Sequence, residues 1–594
     1  MYYYEKIALN FSHGKAEDMT NCLPAIYSII GHSASMTESM VWQFIRWDKV
    51  IHQVKSMQSR IVKAVKAGRW NKVKVLQGIL NRSYAAKLLA IRRTTENSGK
   101  RTAGIDGHLW NTPKRKYEAI SQLAIRGYEP LAVRRIKILK KNGKLRPLGI
   151  PTMRDRTMQG LLLIGLEPIS ETLADVHSYG FRPHRCCADA IEQCFIVLAK
   201  KNSPSYILEG DIRGCFDNIS HQWLIDNIPI DKGILRKWLK AGYMEKGKLF
   251  PTDSGSPQGS IISPTMANMV LDGLQEAIDT ACQIRKRGKK TVTRYPNPYK
   301  IHLIRYADDF VITCTDKSIL ELKVKPAIEA FLAKRGLELS PEKTLITHID
   351  QGFDFLGQTI RKYKGKFLTT PSKKSIKTFL AKVQTAIKER RAAPAIGLIQ
   401  KLNPMIRGWT MYHRHSSAKK TFNAIDNKIW QMIWKWARRR HPNKSRAWIG
   451  KKYLTRIKQR NAVFFAKNKD GEMLSLFQAG NVSIQRHIKI RMNANPFDSE
   501  DETYFELRKE KLVMNKFSGR KMHRFLYNRQ KGNCPICNQK ITLETGWNIH
   551  HIEPMYLGGK WRADNLVMLH PVCHIQVHQN NVVAAALDQS VKYV

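Results

Sequence analysis

The sequence predicts an α+β fold spread over several domains, on three observations. Its 594 residues exceed what one hydrophobic core serves, since single cores stop growing near about 250–300 residues. Apolar residues make up 43% and charged residues 25% of the chain, ordinary values that exclude a mostly disordered, collagen-like or fibrous protein. Between about residues 131 and 360, short apolar runs bounded by Gly and Pro alternate with stretches of helical periodicity, so strands and helices share one domain there.

Charge narrows the class of partner. The 101 Lys+Arg against 48 Asp+Glu leave +53. That self-repulsion destabilises a compact state unless a polyanion neutralises it, and nucleic acid is the usual polyanion. No run of about 18 apolar residues exists to span a bilayer, and Met1-Tyr-Tyr-Tyr-Glu-Lys6 lacks the basic-then-apolar layout of a secretory signal. The expectation is a non-secreted protein with no membrane partner. Ten cysteines are too sparse for a disulfide scaffold. Seven of them (Cys22, Cys186, Cys187, Cys194, Cys215, Cys282 and Cys314) show no ligand-like spacing and read as reduced packing residues.

In chain order, residues 1–35 lack periodicity and read as an extension, with Met36-Thr-Glu-Ser resembling a second start. From Trp42 to Ile91, apolar residues recur at helical spacing (Ile51, Val54, Ile61, Val65, then Val73, Leu76, Leu80), giving helices with a basic outer face. Lys140-Lys-Asn-Gly-Lys-Leu-Arg146-Pro-Leu-Gly-Ile-Pro151 reads as a basic hairpin suited to gripping a triphosphate. An apolar run ends at Asp211, and Ser256-Pro-Gln-Gly-Ser-Ile-Ile-Ser-Pro264 is a loop leading into a helix through Ala267, Val270 and Leu271. Tyr306-Ala-Asp-Asp309 sits between apolar runs, so it forms the turn of a hairpin carrying two adjacent acids. Between 370 and 450 the pattern is helical, with 19 Lys+Arg against 2 Asp+Glu. Residues 453–515, basic and then acidic around Asp498 to Glu502, read as a linker or DNA-binding region.

Adjacent acids in a tight turn repel each other. Taken alone, such a turn is usually a solvated loop. It becomes favourable when a divalent cation binds, because hard oxygen ligands suit Mg²⁺, and Asp211 at a strand end could present its carboxylate to the same ion. With the order basic hairpin, Asp211 strand, Pro-Gln-Gly loop and Tyr-Ala-Asp-Asp turn, the sequence resembles the reverse transcriptases of bacterial and organellar group II introns, from about Met36 to about Leu454. The resemblance implies a right-handed polymerase: fingers and palm over 36–368, and a thumb/maturase region over 369–452. It implies Asp211 and Asp308 as ligands of two Mg²⁺ ions, with Asp309 in support. Phe216 matches the aromatic gate under the deoxyribose, Gln258 lies near the incoming nucleotide, and Lys140 and Arg146 fall on its phosphates. A core aromatic is the plain alternative for Phe216, and template backbone contacts are the alternative for the two cations. In the thumb region, Ile425, Ile429, Ile433 and Trp436 form one packed helix face. Arg438, Arg439 and Arg440 beyond it would face phosphate, and the implied partner is the structured intron RNA.

The last 79 residues hold a second constellation. Cys534-Pro-Ile-Cys537 and His570-Pro-Val-Cys573 have knuckle spacing and together make a tetrahedral Cys₃His site, closed and therefore structural, for Zn²⁺. Between and after them stand His550-His551-Ile-Glu-Pro554, Gly558-Gly559, Asn565, His574 and His578. This resembles the HNH nucleases with their ββα-metal fold, over 516–594. The resemblance implies His551 as general base, His550 and His574 holding Mg²⁺ (or Mn²⁺) with His578 as a further ligand, and Asn565 orienting the His551 loop. His570 stands where many relatives carry Cys. A zinc-stapled binding module without cleavage activity is the alternative.

Together the two resemblances imply an RNA-directed DNA polymerase, splicing cofactor and DNA endonuclease on one chain. Its implied partners are intron RNA, target double-stranded DNA and deoxynucleoside triphosphates, in a bacterial cytoplasm or an organellar matrix. A splicing-only maturase and a stand-alone retron or defence reverse transcriptase are the rivals.

Overall fold

The computed structural model describes residues 42, 45–97, 99–139, 145–245, 247–252, 255, 259–284, 297–457, 460–467, 471–517, 521–543, 545–554 and 558–579. Lys140, Gln258 and the extension 1–35 lie outside them, as does the side chain of His578. The chain divides into two compact units. One comprises Met1–Ala174, Gly214–Asp272 and Asn493–Val594, the other Asp175–Arg213 and Gly273–Met492.

In the first unit, helices Trp47–Lys66, Trp70–Arg82 and Tyr84–Glu96 pack on Met153–Leu173. The buried stripe is Val50, Val54, Ile61 and Val65 on the first helix and Val73, Leu76 and Leu80 on the second. Ile51 sits only at its edge. Met153–Leu173 is buried along most of its length, its polar residues Asp155, Arg156, Gln159 and Glu171 included. Its start is fixed by the Thr152 side chain, which accepts from the Asp155 N–H.

The basic hairpin forms from strands Val133–Leu139 and Leu145–Ile150, paired antiparallel from Arg134↔Ile150 to Leu139↔Leu145. It continues through Tyr243–Glu245 and Lys248–Phe250 into a four-stranded sheet. Gly259 of the Pro-Gln-Gly motif has φ +115°, and a Cβ there would lie 2.3 Å from the Gly149 carbonyl oxygen. Two motifs read separately in the sequence therefore meet at a point that only glycine tolerates.

The acidic stretch read as part of a linker is pinned in this unit. Asp498 pairs with Lys66, and Glu502 lies 3.7 Å from Lys55. At the C-terminal end, strands Asn548–His551 and Leu566–Leu569 pair antiparallel, and helix Pro571–Gln579 follows them, a ββα arrangement.

The second unit is built on an antiparallel sheet ordered His302–Tyr306, Asp309–Cys314, Tyr206–Asp211 and Leu345–His348. Ile207, Leu208, Leu303, Ile304, Val311 and Ile312 are buried in it. Helices Lys373–Glu389, Ala395–His413 and Lys419–Arg440 share one core, in which Ile425, Ile429, Ile433 and Trp436 form the expected stripe.

The linker reading fails at its start. Leu454–Ile457, Arg460–Lys467 and Met473–Ser475 form a three-stranded sheet, and Phe464, Leu476 and Ala479 belong to the same core as the helices. Arg456, Arg460 and Lys467, interleaved with Val463 and Phe464, hid a half-buried strand behind a basic composition. Among the described residues, no helix is long and apolar enough to cross a membrane.

Candidate active sites and a cysteine cluster

The acid-bearing turn is made by register. Tyr306↔Asp309 closes the hairpin, leaving Ala307 and Asp308 as its two turn residues. On the neighbouring strand Asp211 stands directly opposite Asp309. Two strands and one turn thus bring three carboxylates, far apart in sequence, to one end of the sheet.

Several constraints fix that end. Ala307 has φ +59°, a left-handed conformation unusual for a residue with a Cβ. A Cβ on Gly180 would lie 2.3 Å from the Ala307 nitrogen, and one on Gly210 would lie 2.2 Å from the Phe310 ring. Both glycines are therefore required by close approach. Arg305, fully buried beneath the turn, donates to the Ala307 carbonyl at 3.5 Å. Its charge also opposes the burial that raises the pKa of Asp175.

Electrostatics register the convergence. Asp309 is pushed up to about 6, first by burial and then by the negative charges of Asp308 and Asp211. Lys343 opposes that shift, and its Nζ lies 2.6 Å from Asp211 Oδ2. The hydrogen bond to Asp211 raises the lysine's own pKa. Lys343 arrives because residues 338–340 run beside the strand end: Ser340 N–H donates to the Asp211 carbonyl, and Ile212 bridges Leu339. Sequence reading missed this lysine, since one cation among many carries no local signature. Carboxylates are hard oxygen donors of the kind that suit a divalent cation, and Lys343 is drawn to one of them, Asp211.

The remaining polymerase candidates lie in the first unit. Phe216 is in the short helix Cys215–Asn218, with Gly255 pressed against its carbonyl. Arg146 is exposed on strand Leu145–Ile150. Arg438, Arg439 and Arg440, in the second unit, are exposed in the last turn of their helix. Arg440 donates to the carbonyls of Arg391 and Ala393, at 3.2 and 2.8 Å.

In the ββα element, His550 and His574 meet with ring centroids 5.2 Å apart. His551 is the next residue of the strand, so its side chain takes the opposite face, and its ring lies 5.1 Å from that of Trp561. Its buried Nε2 has no hydrogen-bond partner among the described residues. Asn565 ties the following loop: its Oδ1 accepts from Glu553 N–H at 2.7 Å, and its Nδ2 donates to the carbonyls of Glu553 and Lys560 at 3.0 Å.

The ligand atoms of Cys534, Cys537, His570 and Cys573 all lie within 4.8 Å of one another. His570 Nε2 is 3.3 Å from the Lys540 carbonyl, a contact that uses Nε2–H as donor and leaves Nδ1, 3.2 Å from Cys537 Sγ, to act as a ligand. Burial disfavours the His570 imidazolium, but hydrogen bonds to Cys534 and Cys537 outweigh it and raise the pKa to about 9. Thiolates that crowded, beside an imidazole of suitable tautomer, fit Zn²⁺.

Among the seven cysteines read as packing residues, Cys194, Cys215, Cys282 and Cys314 are buried, while Cys186 is exposed. The Cys186 thiol donates to Asp189 at 3.2 Å. The same buried carboxylate contacts His487 Nε2 and accepts from the N–H groups of Cys186 and Ile490. This is a hydrogen-bonded clasp joining residues 301 positions apart, which spacing rules cannot see.

Four stretches of the chain match known protein families. Residues 42–123 match the N-terminal domain of reverse transcriptase. Residues 138–360 match reverse transcriptase (RNA-dependent DNA polymerase). Residues 376–454 match the group II intron maturase-specific domain, and 534–580 match HNH endonuclease. Protein YkfC of Escherichia coli is 32% identical over 311 residues, covering 47% of this chain and 81% of that protein. The group II intron-encoded protein LtrA of Lactococcus lactis is 33% identical over 328 residues, covering 46% of this chain. The match spans 54% of LtrA, about half its length. The uncharacterized 91 kDa protein in the cob intron of Schizosaccharomyces pombe is 33% identical over 261 residues, covering 36% of this chain and 32% of that one. The chain belongs to the group II intron-encoded proteins: it is a reverse transcriptase with a maturase-specific domain and a C-terminal HNH endonuclease domain.

Proposed function

We propose that this protein binds its intron RNA, assists its splicing, nicks target DNA and copies the intron into cDNA from the exposed 3′-hydroxyl. The observation that carries the reading is the register placing Asp211 opposite Asp309, with Asp308 in the adjoining turn. Bound Mg²⁺ would supply activation of the primer hydroxyl and neutralisation of the triphosphate. Asp211 and Asp308 hold the metal in this reading, with Asp309 beside them, and the buried Arg305 keeps the turn from relaxing as charge gathers. Lys343 balances the three acids before substrate arrives. Phe216 selects deoxyribose, and Arg146, Lys140 and Gln258 attend the incoming nucleotide.

In the nuclease, His551 takes a proton from water, Asn565 holds its loop, and His550 and His574, with His578, hold a divalent ion at the phosphate. Zn²⁺ at Cys534, Cys537, His570 and Cys573 keeps that fold closed. Arg438, Arg439 and Arg440 contribute to the RNA surface, where charge in such excess is offset by phosphate. The proposed setting is a bacterial cytoplasm or an organellar matrix.

Reconstitution of the full chain with its intron RNA and a duplex spanning the insertion point tests the reading. It predicts a nick in one strand, followed by intron cDNA covalently joined to the nicked end. Splicing with neither product would leave only the splicing role.

A further inference from the structure

Trp561 is unused by the nuclease chemistry above, yet it stands beside the proposed general base. Its ring centroid lies 5.1 Å from that of His551, at an interplanar angle of 62°. It is 54% exposed. A single exposed aromatic normally needs no explanation, but this one differs in how it is mounted and in what flanks it.

The backbone around it is fixed on both sides. Gly559 N–H donates to the Pro554 carbonyl at 3.2 Å, and a Cβ on Gly559 would lie 1.9 Å from the Glu553 oxygen. On the other side, Arg562 N–H donates to the Lys560 carbonyl at 2.8 Å, and that same carbonyl accepts from Asn565 Nδ2. Asn565 thus ties the backbone next to Trp561. Lys560 and Arg562, its chain neighbours, are exposed cations; the Arg562 side chain is 70% accessible and lies 3.6 Å from the equally exposed Asp564, a surface pair that a phosphate can replace. A rigidly held aromatic between two cations has the composition of a surface that stacks on bases while its charges take phosphate.

We infer that Trp561 is a DNA-contacting residue of the nuclease, stacking on a nucleobase next to the phosphate that His551 serves. The inference rests on the nuclease reading. Successive bases lie about 3.4 Å apart along a strand, so a ring this close to His551 is within reach of a base flanking the cut. Aromatic side chains that enter a base step partly unstack it, which also opens the backbone at the nick.

The test uses the full chain with its intron RNA and a short duplex spanning the insertion point, with 2-aminopurine on either side of the nick. Binding is followed by fluorescence in Ca²⁺, and nicking in Mg²⁺. Trp561→Ala is expected to lower nicking kcat/KM by about tenfold, mainly through KM, the size that losing one base stack brings. Trp561→Phe should restore most of that loss. The 2-aminopurine response should disappear in Trp561→Ala but persist in His551→Ala, whose nicking is expected to fall much further. Wild-type nicking with an unaffected Trp561→Ala variant would overturn the inference alone. A changed nicking pH profile in Trp561→Ala, with the 2-aminopurine response intact, would overturn it too, because the indole would then act only by shielding His551. A wild-type chain that never nicks would sink the nuclease reading and this inference with it.

Discussion

In the proposed function the two candidate centres meet one demand, phosphate chemistry around a divalent cation, with opposite materials. At the polymerase centre three like charges are forced together, and a large sheet with a buried core absorbs the repulsion. The carboxyl of Asp309 is pushed up to about 6 by partial burial and by Asp308 and Asp211, although the residue as a whole is exposed. At the nuclease centre the groups are histidines, carried by one strand and the helix of a ββα element whose two strands are four residues long. The element has a small core of its own, with Val513, Phe517, Leu526 and Leu566–Leu569 buried in it, and a metal held by the Cys₃His cluster would close that core further. Charge concentration thus calls for a large scaffold, and a small scaffold calls for a metal staple.

The largest expected effect lies at the acids. Asp308→Ala should lower cDNA synthesis by at least about 10³-fold, since a lost metal ligand forfeits several kcal/mol of transition-state stabilisation. DNA nicking and intron binding should stay near wild type, and loss of all three together would erase the comparison. His551→Ala should lower nicking by about 10²–10⁴-fold, the usual range for a general base, with primer extension unchanged. Cys573→Ser, or treatment with a zinc chelator, should remove the ββα element as a protease-resistant fragment while reverse transcription persists. A nuclease that stays folded after chelation would mean that its core suffices without the staple.

The smallest effect sharpens the claim of charge strain. Because the folded-state pKa of Asp309 is raised above the ordinary 3.8, the folded state binds its proton more tightly than the unfolded state. Stability associated with this group is therefore present at low pH and is lost as pH rises from about 4 to about 6. Part of the side chain meets solvent, which screens the interaction, so the gain from Asp309→Asn at pH 7 should be about 1 kcal/mol or less. Thermal melts without divalent metal should show that gain at pH 7 and none at pH 4.

What was legible in the sequence was local. An apolar run ending in Asp211, a four-residue turn motif between two apolar runs and two cysteine knuckles each carry their geometry in their spacing, because strand period and turn length fix where those side chains go. Lys343 was not legible: it reaches Asp211 across 132 positions through residues 338–340, whose pairing follows from tertiary packing. The clasp of Asp189 and His487 was hidden for the same reason. The strand Arg460–Lys467 was misread for a different one, since its charged residues balance its apolar ones in composition and only burial separates them. Asp498 was taken for linker because an acidic run looks solvated until its partner, Lys66, is found on the first helix.

The central claim is that Asp211 and Asp308, from distant stretches, share one cation. Iron(II) substituted for Mg²⁺ in the full chain, followed by ascorbate-driven backbone cleavage and mass mapping, tests it most directly. The account predicts paired cuts near Asp211 and near Asp308, suppressed by excess Mg²⁺ and lost together in either Asp211→Ala or Asp308→Ala. Cleavage at one stretch that survives removal of the other acid would contradict it.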